Sequence, residues 1–254
     1  MSTYALAKYP TPILNDIKPP FFYPLPYDEK KRLFSIENIA FPGTKFAILK
    51  TFGAVVQVET AEYPSLQPLY VDHRFLQPCH PTTPERRIYL PPLESVLISM
   101  ERLKGHRYFW GGNWYQGIPE LLELYPPQSP LDLESHLDWT CTGVDCSGIL
   151  YEATHGWTPR NTSGLCKLGT LIASHADSFE SISSKVERGD MIVWPGKPGQ
   201  AGHVIFILSP HLVLESRIVK GVMETPLKER LEECWSKKQP FTIRRWHPDS
   251  IIGG

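Results

Sequence analysis

Asp145-Cys146-Ser147-Gly148 follows the turn-prone run Thr140-Cys141-Thr142-Gly143 and opens an apolar-periodic segment carrying Ile149, Leu150 and Ala153. The pattern predicts a loop entering a helix, with Cys146 in the first helical turn. Unpaired N–H groups and the positive end of the helix dipole favour a thiolate there, and the thiolate is the nucleophilic form of cysteine. The plainer reading is a structural buried cysteine, because free Cys is among the most buried residue types. Features further along the chain favour the nucleophile.

Downstream, Pro159-Arg160-Asn161-Thr162-Ser163 is followed by a predicted helix over 165–174. Asp190 to Trp194, Gly202 to Leu208 and Leu212 to Ser216 read as strands, with Ser209-Pro210 at the turn between the last two. Folding that hairpin about Ser209 sets His203 opposite Glu215 on one face. Phe241-Thr242-Ile243 is a last short strand. A cysteine at a helix start, a histidine opening a strand and a carboxylate on the neighbouring strand make a nucleophile, a base and an orienter. Cys146 would attack a carbonyl carbon, His203 would move the proton, and Glu215 would fix the imidazole tautomer. Against this stand a hydrogen-bonded strand-end histidine and a solvated strand carboxylate.

Upstream, residues 1–35 are rich in Pro and aromatics without periodicity and predict an extended arm. Residues 36–85 contain short β-like runs (Lys45 to Leu49, Ala54 to Val58, Pro68 to Val71) separated by turn residues, which predicts a small β domain. The proline-rich stretch Pro81 to Pro92 marks the domain boundary, with a linker over 86–92 and the main domain over 93–254. Leu93 to Lys104 carries apolar residues at 93, 96, 97 and 100 with Gly105 as the stop, the pattern of one amphipathic helix. Tyr108-Phe109-Trp110-Gly111-Gly112 follows, then a long loop over Asn113 to Thr140 whose Pro126, Pro127 and Pro130 predict a rigid excursion.

Composition narrows the function classes. Across 254 residues, Lys plus Arg (26) nearly balances Asp plus Glu (27), and no dense basic run argues for nucleic acid as a partner. Five cysteines without a CxxC pair suit neither a disulfide scaffold nor a zinc site. No apolar run reaches the roughly 18 residues of a membrane span, and no signal peptide is visible at the start. A cytoplasmic location is therefore expected, with a non-classical export route as the alternative.

Tyr108-Phe109-Trp110-Gly111-Gly112, Asp145-Cys146-Ser147-Gly148, Pro159-Arg160, Gly189-Asp190 and Gly202-His203-Val204, in this order and spacing, resemble the NlpC-type papain-like cysteine peptidases of bacterial cell walls. The resemblance covers residues from about 93 to 245. It implies an α+β fold, with a papain-like catalytic domain of helices on a small antiparallel sheet. Position and size make the preceding β region similar to a bacterial SH3-like barrel, or to a β subdomain packed on the main domain. In the family, the residues matching Cys146 and His203 are catalytic, and the third polar residue falls on Glu215, where histidine is commoner. Tyr108, Trp110, Asp145, Ser147 and Arg160 match substrate-binding positions. The long loop after Gly112 is a second departure from the family pattern.

The resemblance also implies hydrolysis of γ-D-glutamyl–diamino acid bonds in peptidoglycan stem peptides or muropeptides, without metal or organic cofactor. Asp145 could pair with a free amino terminus on such a peptide, or simply cap its helix. Alternatives are a Cys-His-Glu amidase cutting the sugar–peptide amide or a cross-bridge, and a wall-binding module whose catalytic half has decayed. Lipid acyltransferases on a permuted fold place His before Cys, against the order here.

Overall fold

The computed structural model describes residues 3–30, 32–196 and 202–249, so the outer ends of the expected arm and main domain lie outside it. The strands in chain order are β1 (Thr3–Ala7), β2 (Thr11–Leu14), β3 (Ile36–Ala40), β4 (Lys45–Phe52), β5 (Val55–Glu59), β6 (Leu69–Asp72) and β7 (Leu76–Cys79). They continue with β8 (Asn113–Trp114), β9 (Gly143–Val144), β10 (Thr170–Ser174), β11 (Met191–Trp194), β12 (His203–Ser209), β13 (Leu212–Arg217), β14 (Gly221–Pro226) and β15 (Thr242–Arg245). The helices are α1 (Leu93–Glu101), α2 (Glu120–Leu124), α3 (Leu133–Trp139), α4 (Gly148–Ala153), α5 (Thr162–Leu165), α6 (Phe179–Lys185) and α7 (Leu227–Ser236). No helix among the described residues is long and apolar enough to cross a membrane. The chain divides into two units: Met1–Ile88 with Phe109–Val144, and Tyr89–Tyr108 with Asp145–Gly254.

The first unit is built on a seven-stranded antiparallel sheet in the order β3-β2-β6-β5-β4-β1-β7. Residues expected to form an extended arm supply two of its strands: β1 runs between β4 and β7, and β2 between β3 and β6. The segment before β3 packs Phe21, Leu25 and Leu33 into the core. Both β1 and β2 lie inside the sheet, whose edges are β3 and β7, and no closed barrel is found among the described residues. The runs at 45–49, 54–58 and 68–71 do become β4, β5 and β6.

The stretch 113–140 is not a bare excursion. It carries β8, α2 and α3, and it buries Ile118, Leu121 and Trp139 with Ile36, Ile39 and Phe75. The prolines hid this, because they break the helical period into pieces too short to read. Asn113 ties the stretch down: its amide accepts from Ile39 N–H and donates to Ile39 C=O, both at 2.9 Å, as a strand partner would. Asn113→Ala leaves both backbone groups buried and unpaired, so denaturant unfolding of the unit should show a loss of about 2 kcal/mol. Gly111 (φ +73) is constrained as well, since a Cβ there would lie 2.5 Å from the Ile36 carbonyl oxygen.

The second unit is a six-stranded antiparallel sheet in the order β10-β15-β11-β12-β13-β14. One face carries Ile192, Ile205, Ile207 and Val213 against Leu227 and Leu231 of α7. α1 buries Val96, Leu97 and Met100 as its period predicts and packs on α4. The helix expected over 165–174 is absent. Instead α5 ends at Leu165, Gly169 takes φ +71, and β10 pairs with β15, Thr170 opposite Arg245 and Ser174 opposite Thr242. A helix cannot run through a glycine in that conformation.

Candidate active site

The loop-to-helix junction is locked by side chains around Cys146. Asp145 acts as the helix cap: its Oδ1 accepts from Gly148 N–H at 2.7 Å, and its carbonyl accepts from Ile149 N–H at 3.3 Å. Regular α4 geometry begins at Gly148, but this bonding puts Cys146 in the first turn. Arg160 reaches in from the following loop, with Nη2 2.7 Å from Asp145 Oδ2 and Nη1 3.0 Å from Oδ1. Its Nη1 also donates to Ser147 Oγ at 2.8 Å, and Ser147 Oγ lies 3.2 Å from Asp145 Oδ1. All three side chains are buried. Two-pronged geometry of this kind is what makes a buried ion pair tolerable. The expected binding residues Asp145, Ser147 and Arg160 thus bond to one another, and Arg160 balances the Asp145 charge.

His203 opens β12 beside β11, directly opposite Trp194, with the two rings 5.1 Å apart. Gly202 permits this entry, because a Cβ there would meet the Trp194 carbonyl oxygen at 2.5 Å. The β12–β13 hairpin differs from the expected register. Phe206 pairs with Leu214 and Ile207 with Val213, with an irregularity before Ser209 opposite Leu212. That register runs Glu215 toward Ile205, two residues from His203. A two-residue offset preserves the face, so His203 meets Glu215 diagonally, Nε2 2.9 Å from Oε2. The turn is centred between Pro210 and His211, not at Ser209, and the one-residue irregularity restores the parity that keeps the contact.

Nε2 is held by Glu215, and Cys146 sits near enough to the ring for its charge to act on the imidazole. Burial pushes the His203 pKa down, but the Cys146 charge and hydrogen bond, with Glu215 behind them, raise it to about 9. Glu215 is fully buried. Burial alone would raise its pKa, yet the His203 hydrogen bond and the charges of Arg230, His203 and Arg217 hold it below the ordinary value. An ionised carboxylate only accepts, so His203 Nε2–H is the donor. Cys146, His203 and Glu215 therefore form one connected chain of contacts within the second unit.

The other expected residues divide. Tyr108 is half-buried in the second unit, whereas Trp110 belongs to the first, stacked on Phe34 at 5.4 Å beneath the Arg32 guanidinium at 4.5 Å. Three residues around the histidine and its carboxylate escape the sequence reading. Trp194 covers His203, Thr225 Oγ1 lies 3.4 Å from Glu215 Oε1, and Arg230 Nε lies 3.0 Å from the same oxygen. Pairing the strands at 190–194 and 202–208 would have exposed Trp194. Thr225 and Arg230 carry no such signal, because β14 and α7 have no motif.

No protein-family profile matches the chain, and no curated protein does. Among solved structures it is similar to an NlpC/P60 family protein from Bacillus cereus, with 18% identity and a TM-score of 0.41, over 97% of this chain and 64% of that one. It is also similar to NlpC2 from Trichomonas vaginalis (12% identity, TM-score 0.41, 97% of this chain and 98% of that one). A third is RipD from Mycobacterium tuberculosis, a non-catalytic NlpC/p60 domain protein adapted to peptidoglycan binding (19% identity, TM-score 0.36, 55% of this chain and 90% of that one). The chain spans less than two thirds of the Bacillus protein. Likeness at this level carries no argument about activity, so the chemistry has to be read from the side chains themselves.

Proposed function

We propose that this chain is a cysteine peptidase that hydrolyses γ-D-glutamyl–diamino acid bonds in peptidoglycan stem peptides. The contact chain from Cys146 through His203 to buried Glu215 is the observation that carries the reading. The resemblance of the ordered motifs to the cell-wall peptidases is what suggests the substrate class. In acylation the Cys146 sulfur bonds to the carbonyl carbon, the C–N bond breaks, and the His203 proton goes to the leaving amine. Water then adds to the thioester, giving one proton to His203 and the other to solvent as the D-glutamyl carboxylate and the thiolate are released. N–H groups of the first turn, which no helix carbonyl can accept, are the donors available to the oxyanion. Because acylation needs the imidazolium, kcat/KM should fall as pH rises through about 9, where His203 loses its proton. A pH–rate profile on a defined peptide checks this; an unchanged rate at pH 10 would contradict it.

A second reading is supported by one observation, that the residue on His203 is Glu215 and not histidine. A Cys-His-Glu amidase would cut the sugar–peptide amide or a cross-bridge by the same chemistry. Mass spectrometry of muropeptides incubated with the protein separates the two. The peptidase releases L-Ala-D-Glu and a diaminopimelate fragment; the amidase releases sugar from intact peptide. Binding without cleavage by either route would instead support a decayed wall-binding module. The peptidase reading includes a free amino terminus on L-Ala. With Asp145 held by Arg160, the most direct support for that selectivity would be slower hydrolysis of amino-acetylated peptide, and equal kcat/KM would remove it.

A further inference from the structure

The Glu215 carboxylate is shared between two tasks. One oxygen takes His203 Nε2 at 2.9 Å, while Arg230 Nε lies 3.0 Å from Oε1 and 3.1 Å from Oε2. Arg217 approaches more loosely, with Nη1 3.8 Å from Oε1. The Arg230 side chain is 7% exposed against 29% for Arg217, so Arg230 is the cation that meets Glu215 away from water. Arg230 also lies over the Trp194 ring at 5.5 Å, and that ring lies 5.1 Å from the His203 ring. One guanidinium therefore backs both groups that border the imidazole, the carboxylate at its edge and the indole beside it.

We propose that Arg230 is a positioning residue for His203, acting through Glu215 and Trp194. The inference rests on the reading of Cys146 and His203 as the working pair. Bonded to a cation, Glu215 cannot swing toward solvent, and its hydrogen bond keeps the ring turned to the sulfur. Arg230 also withdraws part of the carboxylate's charge from His203, which moderates the hold on the imidazolium proton. Glu233 governs how much is withdrawn. Its carboxylate takes Arg230 Nη1 at 2.8 Å, Arg217 Nη2 at 3.1 Å and Lys237 Nζ at 2.6 Å. The charged and titratable groups on this array are thus Cys146 on the α4 side, Glu215 and Arg217 on β13, and Arg230, Glu233, Cys234 and Lys237 at α7.

The test is an NMR titration of the His203 ring in the full chain, with the signal assigned by its loss in His203→Gln. In the wild type the midpoint is expected near 9. Arg230→Met removes a cation from Glu215, so the midpoint should rise by about one pH unit, a tenfold tighter hold on the proton. Arg230→Lys restores the charge and should return the midpoint toward the wild-type value. Glu233→Gln removes an anion and frees Arg230 for Glu215, so its midpoint should fall by about half a unit. Opposite shifts in the Met and Gln proteins support the proposal, since a packing role for Arg230 does not predict them. Wild-type titration in folded Arg230→Met overturns it. If that protein does not fold, Glu233→Gln decides, and a midpoint unmoved or raised overturns the proposal. A different result would count against the peptidase reading itself: a wild-type midpoint near 6.5 that Cys146→Ala leaves unchanged.

Discussion

Cys146→Ala is expected to lower stem-peptide hydrolysis by about 10⁴-fold or more while the protein stays folded. The side chain is small, so removing the sulfur disturbs little packing. It does remove the group that most raises the His203 pKa, which should drop back toward 6.5. Cys141, Cys166 and Cys234 are not placed to take over. Cys141 is fully buried with Trp139 and Ile118 in the core of the first unit, so Cys141→Ala should remain active. Burial raises the Cys166 and Cys234 pKa values, which keeps both as unreactive thiols at neutral pH. Steady-state hydrolysis of one defined peptide by the three proteins checks the ranking. Activity in Cys146→Ala comparable to wild type would remove the basis for any thiol mechanism.

His203 and Glu215 should fail in different ways. His203→Ala deletes the proton carrier and should lower kcat/KM by about 10³-fold with little change in stability. Glu215→Gln keeps the shape but loses the charge on His203, so a smaller drop of about 10- to 10²-fold is expected, with a lower His203 midpoint. Glu215→Ala is the more damaging change for the fold. It leaves Arg230 buried without its inner partner, at a cost of about 3 kcal/mol, read as a shift in the denaturation midpoint. An unchanged kcat in folded Glu215→Ala would mean that another group orients the imidazole.

How much of this was legible in the sequence depended on how local each signal was. Asp145 to Gly148 reports its own geometry, because a cap and a first turn are set within a few residues. The pairing of His203 with Glu215 was readable through strand alternation alone. Period-2 parity survives a two-residue error in register, so the face was right although the expected partner position was not. The turn centre between Pro210 and His211, and the irregularity beside it that restores the parity, have no sequence mark. β10 was misread because Leu171, Ile172 and Ala173 suit helix and strand alike, and only Gly169 argues for a break. Strands β1 and β2 were hidden by Pro10 and Pro12 in a segment too short to show alternation. Arg230 was beyond reach for another reason. Its importance comes from facing a buried carboxylate on a different element, and a lone arginine in the charged run of α7 resembles a solvated surface residue.

The reading of Cys146 as an activated nucleophile can be tested without knowing the substrate. The measurement is the rate of Cys146 labelling by iodoacetamide at pH 7, followed by intact mass and peptide mapping, set beside free cysteine and the His203→Ala protein. A histidine base beside the sulfur takes its proton as it attacks, so Cys146 should react about tenfold faster than free cysteine, and His203→Ala should abolish the advantage. Labelling no faster than free cysteine, or equally fast without His203, would contradict a working Cys146–His203 pair.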